Sequence, residues 1–140
     1  MFDIAFTPEK PGAKDVTWTV LAPSGQSDQP WMFELGEGDQ RVAYVRTWIF
    51  SDKDQPARFE FGTDDGNKLW LNGKVVHANP AGGAATPGKY KVDVALKQGW
   101  NALVMKVLQD TGPWEFCFRI RRPDGSRLDG LKVQALPPGN

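Results

Sequence analysis

Few residues of this chain have the types and spacing that support bond-making chemistry. Among 140 residues there is one His, His77, and one Cys, Cys117. A single Cys excludes an intrachain disulfide and any Cys-based zinc site. A single His excludes a multi-His metal centre and leaves one candidate base for a Ser-His-Asp set, with no G-x-S-x-G elbow beside it. No phosphate-cradling or dinucleotide fingerprint appears. Glycoside hydrolysis needs two carboxylates about 5–10 Å apart across a cleft. Glu60 and Glu115 lie within alternating runs, opposite the Phe residues of those runs, where they read as solvated surface. The expectation is a chain that is not an enzyme.

What the sequence holds in excess is tryptophan, six residues. Indole faces stack on the apolar face of a pyranose, and with two side-chain torsions they lose little entropy on ordering. Trp31 follows Pro30 and Trp114 follows Gly112-Pro113, so both read as loop-borne and exposed. Trp70 stands between Leu69 and Leu71 and points outward if that strand buries one face. Trp18, Trp48 and Trp100 lie in or at the entry of apolar runs and read as core. Tyr44 and His77 are weaker candidates, His77 as a donor to a sugar hydroxyl. Arg41, Arg46, Asp28, Gln29 and Asn79 supply the paired donors and acceptors that hydroxyls need, though each taken singly reads as ordinary surface. The candidate binding set is therefore Trp31, Trp70, Trp114, Tyr44, His77, Asn79 and Arg46. No cofactor is required by it. A structural Ca²⁺ stays open: it needs six to eight oxygens, so Asp64-Asp65-Gly66-Asn67 is too short alone, and Glu34, Glu37, Asp39, Asp124 or Asp129 would have to combine in space.

The elements that must position these residues are strands. Gly and Pro together number 26, a turn-rich composition, and no window shows a capped helical period. Period-two or fully apolar runs cover 16–20, 41–50, 58–61, 68–71, 74–77, 89–96, 101–108, 115–121 and 131–134. Asn72-Gly73 predicts a type I′ hairpin turn, and Asp124-Gly125 another hairpin. Residues 79–88 read as a flexible loop. These signals predict an all-β fold, a two-sheet antiparallel β-sandwich of jelly-roll type. The chain reads as one module over 1–140, with its core at about 15–134. Its ends, Pro8–Gly12 and Pro137–Asn140, are linker-like, as in a module cut from a longer protein. Basic and acidic residues balance at 17 each, which argues against non-specific binding to nucleic acid or an anionic membrane. No apolar run is long enough to span a bilayer, and no apolar signal region follows Met1.

Several of these runs carry a family likeness. They are Tyr44-Val-Arg-Thr-Trp-Ile-Phe50, Phe59-Glu-Phe-Gly-Thr-Asp-Asp-Gly66, the Leu69-Trp-Leu-Asn-Gly-Lys-Val-Val76 hairpin, Tyr90-Lys-Val-Asp-Val94 and Gly99-Trp-Asn-Ala-Leu-Val-Met-Lys-Val107. Over about 41–108, with a weaker extension through 114–130, the chain resembles galactose-binding-like jelly-roll domains. It looks most like carbohydrate-binding modules and the sugar-binding domain of family 2 glycoside hydrolases. The resemblance implies a non-catalytic module on a secreted or cell-surface protein, holding a polysaccharide by stacking and rim hydrogen bonds. Its other partner would be a parent catalytic domain in cis. The alternative it implies is an accessory sandwich that only packs against that neighbour. Residues for a sugar-binding triplet are not transferable from the family pattern.

Overall fold

The structure, a computed structural model, describes residues 2–10, 16–21 and 32–139. The described residues form strands β1 (Met32–Glu34), β2 (Arg41–Ser51), β3 (Gln55–Thr63), β4 (Asn67–Leu71), β5 (Lys74–Asn79), β6 (Tyr90–Leu96), β7 (Gly99–Gln109), β8 (Glu115–Arg121) and β9 (Lys132–Gln134), with one 3₁₀ turn at Thr7–Glu9. Two antiparallel sheets result, one of four strands in the order β1-β8-β3-β6 and one of five in the order β5-β4-β7-β2-β9. The chain changes sheet at every strand connection except that between β4 and β5. This wrapping makes a β-sandwich compatible with a jelly roll.

The sheets meet over the apolar positions that the alternation singles out. Phe59 and Phe61 of β3 lie fully buried against Leu69 of β4, Ile49 of β2, and Met105 and Val107 of β7. Each such side chain contributes roughly 1.5–3 kcal/mol of transfer free energy. The core has a polar clasp at Asn101. Its Nδ2 donates to the carbonyls of Ile49, Lys97 and Gly99, and its Oδ1 accepts from Lys97 N and Asn72 Nδ2. That clasp ties the Asn72-Gly73 turn to the entry of β7. The turn has φ of 51° and 80° at its two central residues, the type I′ signature.

Four expectations are corrected here. Residues 16–20 form no strand and pair with none among the described residues, whereas the unanticipated β1 forms by pairing with β8. The segment read as a flexible loop is anchored: Gly83 N donates to Asp65 Oδ1, Ala85 is buried, and a Cβ on Gly62 would run into the Thr86 carbonyl. Glu60 is not solvated, since it is 3% exposed and its carboxylate takes the Arg119 guanidinium at 2.7–2.8 Å. Trp114 is buried in the main core with Phe116, because its carbonyl accepts from Leu35 N and so turns the chain inward after Gly112.

Candidate functional site

The site builds up on the outer face of the five-stranded sheet. In β2, Ile49 faces the core, so Tyr44, Arg46, Trp48 and Phe50 face out. In β7, Leu103, Met105 and Val107 face in, so Trp100, Ala102, Val104 and Lys106 face out. In β4, Lys68 and Trp70 face out between Leu69 and Leu71. Antiparallel register then sets neighbours side by side: Trp100 against Phe50, Ala102 against Trp48, Val104 against Arg46 and Trp70, and Lys106 against Tyr44 and Lys68. Trp100 is 39% exposed and packs edge-on to Phe50 with ring centroids 5.3 Å apart. The small side chains of Ala102 and Val104 lie among the outward indoles of Trp48, Trp70 and Trp100.

The N-terminal segment lies across one end of this face. Lys106 Nζ, fully buried, donates to the carbonyls of Phe2 and Ile4 at 3.1 and 2.7 Å and to Glu9 Oε2 at 2.7 Å. The Tyr44 hydroxyl donates to the same Glu9 carboxylate. Burial pushes the Glu9 carboxyl up, but the hydrogen bonds from Lys106 and Tyr44 and the Lys106 charge outweigh it and hold it below the usual range. Tyr44 is shifted the other way, upward, by burial and by its anionic partner. Pro8, Glu9 and Lys10 thus wall a cavity of about 300 Å³ whose floor is Trp70, Ala102 and Val104. Arg46 lies between two indoles, its guanidinium carbon 3.8 Å from the Trp18 ring centroid and 4.9 Å from that of Trp48.

Three of the seven candidates from sequence, Tyr44, Arg46 and Trp70, share this face. Trp31 lies outside the described residues. Trp114 is withdrawn into the core, as above. His77 is turned between the sheets, because its strand partner is the core residue Leu69. Its Nδ1 donates to Asn67 Oδ1 at 2.8 Å, and its ring stands edge-on to Phe61. Burial lowers its pKa, which favours the neutral ring. Asn79 is occupied on both sides: Nδ2 donates to the Tyr90 hydroxyl and Oδ1 accepts from Ala81 N. In their place stand Trp48, Trp100 and Trp18, which the sequence reading put in the core. Both faces of β2 and β7 are apolar, so alternation alone does not say which face is inner.

A larger cavity, about 950 Å³, opens between the sheets along the side of β2 and β8, lined by aliphatic and aromatic side chains including Phe33, Val45, Met105 and Ile120. Among the described residues no group of three His, Cys, Asp or Glu side chains is placed to hold a metal ion. No family model, curated protein or solved structure matches this chain.

Proposed function

We propose that this chain is a non-catalytic carbohydrate-binding module whose binding surface is the outer face of the five-stranded sheet. The observation that carries the reading is the row of outward indoles, Trp48, Trp70 and Trp100, spaced by Ala102 and Val104. Stacking uses flat apolar faces, and Trp100, 39% exposed, is the most open of the three, while Arg46 stands beside Trp48 and Lys68 beside Trp70. Such a platform buries little area, so dissociation constants in the millimolar to micromolar range, about −4 to −8 kcal/mol, are expected. Affinity electrophoresis on a polysaccharide panel tests the reading. Retardation by one polymer class, lost in Trp70→Ala or Trp100→Ala, supports it. No retardation by any polymer overturns it.

A second reading, an accessory sandwich packed on a neighbouring domain, is favoured by one observation. Val20, Leu21, Val133 and Leu136 are all exposed beyond 40% and all line the larger cavity. Clustered aliphatics of that kind mark interaction surfaces. The larger cavity also reaches Trp18, Tyr44 and Arg46, but Val133 pairs with the inward Ile49, so substitution at Val133 leaves polysaccharide retardation intact under the first reading.

A further inference from the structure

Charge on the candidate face is one-sided, although the chain balances 17 basic against 17 acidic residues. The outward positions of the five-stranded sheet carry Arg46, Lys68, Lys106 and Lys132, and no Asp or Glu. The carboxylate that reaches the face, Glu9, is taken by Lys106 and Tyr44. Among the described residues neither Lys68 nor Lys132 has an ion-pair partner, and Arg46 Nε is buried with no hydrogen-bond partner.

The cations also stand over the rings. Lys68 Nζ is 5.4 Å from the Trp70 centroid, Lys132 Nζ is 5.6 Å from that of Phe50, and Arg46 is held by Trp18 and Trp48. A sugar stacked on Trp48 or Trp70 would therefore bring its ring substituents beside a cation. A neutral hydroxyl gains little from that placement, while a carboxylate or sulfate gains a charge-assisted bond, and a guanidinium pairs with either in bidentate fashion. We propose, building on the reading of this face as a glycan platform, that its ligand is an anionic polysaccharide bearing carboxylate or sulfate groups.

Titration calorimetry with polygalacturonate, dextran sulfate and unsubstituted dextran at low and high salt tests this. Binding to at least one of the anionic polymers, weakening as salt rises and absent for dextran, is expected. Lys68→Gln and Lys132→Gln each weaken it roughly three- to fivefold. Lys91→Gln, an equal charge change on the opposite sheet, leaves it unchanged. Melting curves confirm that the variants fold. Salt-independent binding of dextran as tight as the anionic polymers overturns the anionic ligand and leaves the glycan platform standing. Equal binding of oligo-dT shows a face that takes any polyanion and also overturns it. No binding to these polymers, together with none across the neutral panel, overturns the platform itself.

Discussion

Two buried groups respond to pH and reagents in ways that their surroundings fix. Asp64 is 8% exposed, and burial, then the neighbouring Asp65 charge, pushes its carboxyl up to about 6. The folded state therefore binds this proton more tightly than the unfolded chain does. Its contribution is fully present below the unfolded value near 4, is lost progressively as pH rises to about 6, and is flat above. Asp64→Asn keeps a donor toward Asp65 and removes the charge, so it melts higher than the parent at pH 7, and the gap closes toward pH 4. Thermal melts of both proteins from pH 4 to 8 check this; a gap that does not vary with pH refutes it. Cys117 is fully buried, and burial pushes its thiol up to about 11. Native protein should leave a thiol reagent unreacted at pH 8, with one equivalent consumed after unfolding.

At the scale of elements, two glycines separate backbone strain from crowding. Gly73 sits at φ 80° with open space around its Cα, so Gly73→Ala costs backbone strain alone, roughly 1 kcal/mol. Gly62 has no such φ, but a Cβ there meets the backbone of Thr86 in the loop laid over it. Gly62→Ala must displace that loop and should cost more, about 2 kcal/mol. It should also speed modification of Cys117, whose Sγ lies 3.8 Å from the Ala85 carbonyl, while Gly73→Ala leaves that rate unchanged. Denaturant melts and thiol-labelling rates measure both effects. These elements also show what was legible. β2, β6, β7 and β8 follow from alternation or apolar runs, and the turn follows from Asn72-Gly73, because each signal is local. β1 was not legible, since three residues become a strand only through pairing with β8. The site was half legible. Trp70 was placed by its Leu neighbours, but Trp48 and Trp100 sit on strands apolar on both sides. Nothing local showed that Phe2–Lys10 would cover one end of the outer face and make apolar residues there affordable.

At the scale of the molecule, that cover depends on an ion pair between residues nearly a hundred positions apart. Lys106 is fully buried and the Glu9 side chain is 12% exposed, so neither charge is well solvated without the other. Two charges taken from water cost several kcal/mol, which their mutual attraction offsets only while both remain. Glu9→Ala strands the Lys106 ammonium with two carbonyls and no counter-charge, and should lower stability by roughly 3 kcal/mol. Adding Lys106→Met puts an apolar side chain of similar length against Phe6 and Tyr44, so the double variant should recover most of that loss. The pH dependence has its own sign. Glu9 is held below its ordinary value, so its stabilisation is present above the unfolded value near 4.5 and is lost as pH falls through the folded one. The parent should therefore lose stability over that acid range by an increment absent from the double variant. Additive single-variant effects in denaturant melts at pH 7, or matching acid profiles for parent and double variant, would show that the segment is held by its apolar contacts instead.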